Sequence, residues 1–240
     1  MKIAIISDVH GNLPALEAAV ADACARGAKR IICAGDLVGY GPFPSEVCGF
    51  VAANRIDCVS GNFDRKTIES IDNPGFFNRK MNARKRKVLD WTLKHVDGRA
   101  QGLLRSLPQK IELKAAGHEM LIVHGSPDSD VDTIYPSITS RGLESKLGGI
   151  RPGILACGHT HIPFVRRMRG MLVVNCGSAG FPVDGDPRPS FAMLELARGK
   201  RPSARIFRYS YDVSLVVKAI ARNRLPETLL RDFAEGIKRM

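Results

Sequence analysis

The sequence predicts an α/β protein, and three observations predict it. Up to residue 61, short apolar runs alternate with longer amphipathic stretches at the spacing of strand–helix units. Those runs are continuous rather than alternating, as expected of strands buried on both faces of a largely parallel sheet. Beyond Pro108, short apolar runs succeed one another at separations that suit hairpins and antiparallel pairing.

Taken in order, residues 2–7, 30–35 and 56–61 read as strands, and residues 13–26 and 44–54 as helices. In the first helix Leu16, Ala19, Val20, Ala23 and Cys24 recur at helical spacing, and Gly27 stands where a helix C-terminal glycine belongs. From 64 to 108 the chain turns polar and strongly basic. Residues 79–87 hold six positive charges, half of the net +12, while Val88, Trp91, Leu93 and Val96 give an apolar face. A helical cap insertion over about 65–107, within a single domain of residues 1–240, accounts for both; its basic face is read equally as solvated surface or as substrate contact. Strands at 111–114, 120–124, 153–157, 164–168, 171–175, 191–196 and 204–209, with turns at Ala116-Gly117 and Arg169-Gly170, then make a second, mixed sheet. Residues 215–222 and 227–238 read as two closing helices, the first ending before Pro226.

Composition narrows the function classes. With 44% apolar residues the chain can bury a core, which excludes disorder. The longest uncharged stretch, 170–183, is broken by Gly and Pro and falls short of the ~18 residues of a membrane helix. The first apolar run meets Asp8 too soon for a signal peptide, so a cytoplasmic protein without membrane association is expected. Six cysteines include no C-x-x-C pair and lie mostly in apolar stretches, as reduced, buried thiols do. The excess of 36 Lys+Arg over 24 Asp+Glu attracts phosphate-bearing ligands without separating nucleic acid from small polyanions.

The residues that carry chemistry stand where apolar runs end. These are Asp8-Val9-His10, Gly35-Asp36, Gly61-Asn62, His124-Gly125 and Gly158-His159-Thr160-His161. The i, i+2 spacing of Asp8 with His10, and of His159 with His161, puts two side chains on one side of an extended segment. The intervals from Asp8 to Asp36 and from Asp36 to Asn62 each fit one strand–helix unit. Such a unit returns the chain to the same sheet edge, where open α/β sheets bind ligands. Singly, each residue is explained as a cap or a satisfied polar group. Together Asp8, His10, Asp36, Asn62, His124, His159 and His161 supply imidazole and oxygen donors for two divalent ions sharing one carboxylate. Four imidazoles without thiolate favour Mn, with Fe or Zn as alternatives, over Mg or Ca. Two such ions about 3.5 to 4 Å apart can acidify a bridging water and stabilise an in-line displacement at phosphorus, so phosphate ester hydrolysis is the natural reaction.

These blocks, Asp8-x-His10, Gly35-Asp36, Gly61-Asn62-x-Asp64, His124 and Gly158-His159-x-His161, resemble in order the five signature blocks of the calcineurin-like metallophosphoesterases. Residues 35–42 (GDLVGYGP) and 175–188 (NCGSAGFPVDGDPR) are similar to the smaller bacterial and archaeal phosphodiesterase branch. The resemblance implies a four-layer αββα sandwich with the metals at one edge. It also implies that Asp8, His10 and His161 hold one metal and Asn62, His124 and His159 the other, that Asp36 bridges both, and that a metal-bridging hydroxide attacks phosphorus. Asp36, Asn62, Asp64 and His124 are then expected in the catalytic machinery. Substrate contacts are expected from the Asn62 amide, which can donate to a phosphate oxygen, from Ser178 and from Arg188. Arg79 is a weaker candidate phosphate binder and Arg65 the weakest.

One position departs from the family pattern. Its third block usually carries His after the Gly-Asn pair, thought to protonate the leaving oxygen, and here Phe63 stands in that place. General acid help is worth about 10² to 10⁴ in rate. Without it, leaving groups that need little protonation are favoured: aryl phosphates, activated diesters and nucleotide polyphosphates. Asp64 substitutes only if its pKa is raised, and Tyr40 only if its loop reaches the site. The expected partner is therefore a small phosphate ester or nucleotide-derived compound, ahead of nucleic acid, with homo-oligomer formation left open. Competing readings are a protein phosphatase or nuclease, served by the basic stretch, and a non-catalytic metal-binding scaffold. The complete ligand set argues against the scaffold.

Overall fold

A computed structural model describes residues 1–74 and 81–237. Arg79, Lys80 and the last residue of the final expected helix lie outside the described residues. In chain order the elements are β1 (Lys2–Ile6), α1 (Leu13–Ala25), β2 (Arg30–Cys33), α2 (Pro44–Ala53), β3 (Asp57–Cys58), α3 (Asn62–Asp72), α4 (Ala83–His95), α5 (Gly98–Ser106), β4 (Lys110–Ala115), β5 (His118–Val123), α6 (Ser140–Lys146), β6 (Ile154–Cys157), β7 (Phe164–Met168), β8 (Met171–Asn175), β9 (Ser190–Glu195), β10 (Ser203–Arg208), α7 (Val213–Arg222) and α8 (Thr228–Glu235).

Two five-stranded mixed sheets, ordered β10-β9-β1-β2-β3 and β4-β5-β6-β8-β7, pack face to face between helical layers. The two-residue period of a strand explains how. Ile3 and Ile5 of β1 face Ile122, Ile154, Ala156 and Val174 of the other sheet, whereas Ala4 and Ile6 face Leu16, Ala19 and Ala23 of α1. Both sets are fully buried, which is why these strands read as unbroken apolar runs. On the far side of the second sheet Leu121, Leu155 and Val173 pack against Leu143 and Leu147 at α6. This is the four-layer αββα arrangement.

Within residues 65–107, Ala100 and Leu104 of α5 join the core beneath α1 and α2. Val88 and the half-buried Trp91 of α4 instead pack with Val216, Ile220, Leu229 and Phe233 of α7 and α8. Asn12 opens α1 by accepting the Ala15 N–H at 3.2 Å, and Gly27 (φ 87°) follows its end. Among the described residues no helix is long and apolar enough to cross a membrane.

Three features differ from the sequence expectation. The hairpin β9–β10 joins the first sheet, with β9 antiparallel to β1, rather than the second. In the second sheet β5–β6 and β6–β8 are parallel, so the chain makes further crossovers where hairpins alone were expected. One of them contains α6, too short to show helical periodicity. The strand expected at 56–61 shrinks to Asp57–Cys58. Apolar period decides which side chains face a core and leaves the choice of neighbouring strand to long-range packing.

Candidate metal centre

The segments following β1, β2, β3, β5 and β6 end at one edge of the paired sheets and bring seven donor side chains together. The first two are laced by their backbones: Asp8 N–H donates to Gly35 O and His10 N–H to Asp36 O, both at 2.9 Å. Asp8 (φ 55°), His10 (49°), Asp36 (56°), His159 (66°) and His161 (59°) all lie in the left-handed region. Such backbone costs about 1–3 kcal/mol per residue and persists where surrounding structure enforces it, typically at functional sites. Glycine is required where segments touch. A Cβ on Gly61 would lie 2.2 Å from Asp36 N, and one on Gly158 would lie 2.0 Å from Ser7 Oγ and 2.4 Å from Asp8 Oδ2.

The imidazoles are aimed by their outer nitrogens. Nδ1 of His10, His124 and His161 lies 3.1, 2.8 and 2.5 Å from the carbonyl oxygens of Val38, Ala34 and Phe181. Each therefore carries a proton on Nδ1 and turns Nε2 inward, the nitrogen free to ligate once it holds no proton. His161 Nε2 is 3.1 Å from Asp8 Oδ1 and 3.2 Å from His10 Nε2. His124 Nε2 is 3.1 Å from Asn62 Oδ1 and 3.2 Å from His159 Nδ1. Asp36 Oδ2 sits between the groups, 3.6 Å from His10 Nε2 and 3.5 Å from His124 Nε2. Asp8 Oδ1 also comes within 4.0 Å of His124 Nε2. Two overlapping candidate sets thus form, Asp8 with His10 and His161, and Asp8 with Asp36 and His124.

This donor set fits divalent cations. With the imidazoles neutral, as metal ligation requires, lone pair would face lone pair at His10–His161 and at His124–Asn62, an arrangement that a cation between them relieves. Asp8 Oδ1 is buried with no hydrogen-bond partner, although buried polar atoms are rarely left so. Electrostatics point the same way. Burial favours a neutral Asp8, yet the surrounding His161, His124 and His10 outweigh it and hold the carboxyl well below the usual range. For Asp36, burial is likewise overcome, chiefly by His124, and the value falls to about 2. His10, by contrast, is lowered by burial to about 4. Burial also opposes charge on His124, but Asp36 and then Asp8 raise it to about 10.

A pH dependence of the metal-free protein follows. A histidine whose folded value is raised contributes stability fully present below its unfolded value of about 6.5 and lost as pH rises toward the folded value. Between about pH 7 and 8.5, before thiols ionise in the unfolded chain, Tm of the metal-free protein is expected to fall. His124→Gln should flatten that slope; a slope unchanged in the variant would refute the His124 assignment.

The remaining residues singled out in the sequence separate by burial. Asp64 is completely buried. Its Oδ1 accepts N–H bonds from Leu37 and Val38 (2.9 and 3.1 Å) and its Oδ2 one from Gly61 (3.0 Å). Burial, with the Asp36 charge, pushes its carboxyl up to about 7. It does not line the cavity described below, and its three accepted bonds brace the segments that carry Asp36 and Asn62. Ser178 is buried too. Its hydroxyl donates to Asp8 O at 2.7 Å and accepts the Phe181 N–H at 2.7 Å, which ties Asp8 to the Phe181 segment. Arg188 is exposed and paired with Asp186 at 2.7 Å. Arg65 is held by Asp130 and Glu69 at 2.6 and 3.0 Å.

The Tyr40 loop does reach the site. A cavity of about 240 Å³ opens over the ligands, walled by Tyr40, Phe63, Val131, Lys66 and Lys85. Burial, and then Asp36, push the Tyr40 phenol above its ordinary value, so it keeps its proton. Phe63 stands edge-on to His10 with centroids 5.7 Å apart, and its N–H donates to Asp36 Oδ1 at 2.7 Å. Sequence reading passed over Lys66 and over Asn175, whose amide donates to Gly158 O at 2.7 Å and steadies the His159–His161 segment. The one available signal for Lys66 was its helical spacing of four from Asn62.

Comparison with known proteins agrees with this geometry. Residues 1–199 match the calcineurin-like phosphoesterase superfamily domain. The chain is 32% identical to the uncharacterized protein MJ0912 of Methanocaldococcus jannaschii, over 95% of each. Its fold matches the crystal structure of a metallophosphoesterase from Sphaerobacter thermophilus, with a TM-score of 0.80 and 29% identity over 99% of this chain and 100% of that one. In fold alone it is similar to the hypothetical protein PH1004 of Pyrococcus horikoshii OT3, with a TM-score of 0.86 and 22% identity over 99% of each chain.

Proposed function

Because the chain belongs to the calcineurin-like phosphoesterase superfamily, we propose that it is a dinuclear metal-dependent phosphodiesterase acting on small or nucleotide-derived phosphate esters. The carrying observation is the inward convergence of imidazole lone pairs on Asp36 and on the unpartnered Asp8 Oδ1. Asp8, His10 and His161 would hold one divalent cation, and Asn62, His124 and His159 the other, with Asp36 between; Mn suits this donor set. When bound, such cations supply Lewis acidity that activates water and offsets charge on phosphoryl oxygens.

The chain's own residues do the rest. Backbone carbonyls at Ala34, Val38 and Phe181 fix three imidazole orientations. The Phe63 N–H occupies Asp36 Oδ1 and leaves Oδ2 facing His10 and His124. Asn62, its carbonyl oxygen turned to His124, has amide hydrogens to donate to a phosphoryl oxygen. Phe63 walls the cavity, excludes water and offers no proton, so the leaving group departs as an anion.

The test is turnover of bis(p-nitrophenyl) phosphate and p-nitrophenyl phosphate by protein stripped of metal and reloaded with Mn. Diester turnover that returns with Mn and is lost to chelator is expected. Two bound metals without turnover of either ester would leave the scaffold reading instead.

A further inference from the structure

Two lysines outside the ligand set face this cavity. Lys66, half-buried on α3, and Lys85, in the first turn of α4, line it beside Asp36, Asn62 and His159. Among the described residues neither ammonium lies within ion-pair distance of a carboxylate, whereas the adjacent Arg65 is paired with Asp130 and Glu69, and Arg84 with Asp232. Both placements run against local electrostatics. Burial, helped by the nearby Lys85 and Arg65 and opposed by the Asp36 charge, pulls Lys66 below the ordinary lysine value. Partial compensation comes from the Asp36 charge across the cavity and from the Phe63 ring, whose centroid is 5.7 Å from the ammonium. The first turn of α4 contains no acidic residue and a run of cations, although a helix N-terminus favours the opposite sign. Solvation opposes the charge on half-buried Lys66, and the helix N-terminus that on exposed Lys85; an anion held between the two accounts for both.

We propose that Lys66 and Lys85 form a subsite for a second phosphoryl group, so that the preferred substrate is a phosphoanhydride, in which the scissile phosphorus is linked through oxygen to another phosphate. This rests on the phosphoesterase reading above and names its substrate class. It also resolves the problem set by Phe63: a phosphate leaving group needs no proton donor, only positive charge to receive it. In the reaction the P–O–P bond breaks with its electron pair on the departing phosphate, and water forms the new P–O bond. One water proton ends on a product phosphate and the other passes to solvent. At about 240 Å³ the cavity is smaller than the roughly 300–1,000 Å³ of sites that enclose whole drug-sized ligands. It holds phosphoryl groups and leaves the organic remainder outside.

Calorimetric titration of Mn-loaded protein with methylenediphosphonate and with methylphosphonate tests the subsite without turnover. Wild type is expected to prefer the diphosphonate at least tenfold, and Lys66→Gln or Lys85→Gln to reduce that preference about tenfold. Lys94→Gln, exposed on the same helix, should retain it. Lys66→Gln should also raise Tm, because it removes a half-buried unpaired charge. Absence of a diphosphonate preference in wild type, or equal weakening of both ligands in the lysine variants, would overturn the subsite. If that occurs while Mn-dependent diester turnover persists, the subsite alone fails. A lysine-dependent preference without turnover of any ester would retain the subsite and reject the phosphoesterase reading.

Discussion

Asp36→Asn is expected to lower kcat/KM for bis(p-nitrophenyl) phosphate by about 10³ or more. On the proposed dinuclear reading, it should also reduce the Mn taken up by metal-stripped protein from two ions toward one. The substitution is nearly isosteric, and its remaining oxygen can still accept the Phe63 N–H that Asp36 Oδ1 now accepts at 2.7 Å, so the fold should survive. What changes is the other arm. Oδ2 lies 3.6 Å from His10 Nε2 and 3.5 Å from His124 Nε2, between the two ligand groups. An amide there replaces an anionic donor by a neutral group, or presents N–H toward two nitrogens that already converge. Lewis-acid assistance is worth several kcal/mol, and each 1.36 kcal/mol is about tenfold in rate, which gives the expected magnitude. Metal counting beside the rate separates the causes. Two ions retained with near-native turnover would show that Asp36 does not join the sites, leaving Asp8, whose Oδ1 also approaches both groups, as the shared carboxylate.

The seven donors were legible because metal ligation restricts residue type and because ligands of an open α/β sheet collect at strand ends. Each of the five apolar runs ending in Asp, Asn or His could be seen without knowing what the strand pairs with. The role of a second group was illegible for a definite reason. Asp64 and Ser178 have side chains equally suited to proton transfer, substrate contact or backbone bracing. Only burial and the N–H groups at Leu37, Val38, Gly61 and Phe181 assign them to bracing. Lys66 and Lys85 belong to different helices, and their meeting at the cavity follows from packing between α3 and α4, which no local pattern records. The same holds for β9, whose apolar run is plain in the sequence but whose place beside β1 depends on the register of Ile3 with Leu194 and Ile5 with Ala192.

Phe63→His should raise turnover of alkyl phosphomonoesters. The side chain walls the cavity with Asp36 and Asn62, and its backbone N–H bond to Asp36 is available to any residue but proline. An imidazole there, protonated, can donate to a leaving oxygen. Turnover of β-glycerophosphate, whose alkoxide must be protonated as it leaves, is expected to rise by about 10², the lower end of what a positioned general acid contributes. Aryl substrates should change far less, because p-nitrophenolate leaves unaided. The pH profile gives the sign: the donor must carry its proton, so the new alkyl activity should fall as pH rises through the imidazole value, near about 6.5 before local shifts. Stability should drop by about 1–3 kcal/mol, since Phe63 is 4% exposed against Tyr40 and an imidazole buries a polar nitrogen in its place. Those results would make Phe63 not a worn position in a decaying enzyme but a choice of leaving group, with Lys66, 5.7 Å from the ring centroid, receiving charge where a histidine would deliver a proton. Equal gains on alkyl and aryl esters, or no alkaline fall, would show that this position does not face the leaving oxygen, and the contrast between proton delivery and charge reception would go with it.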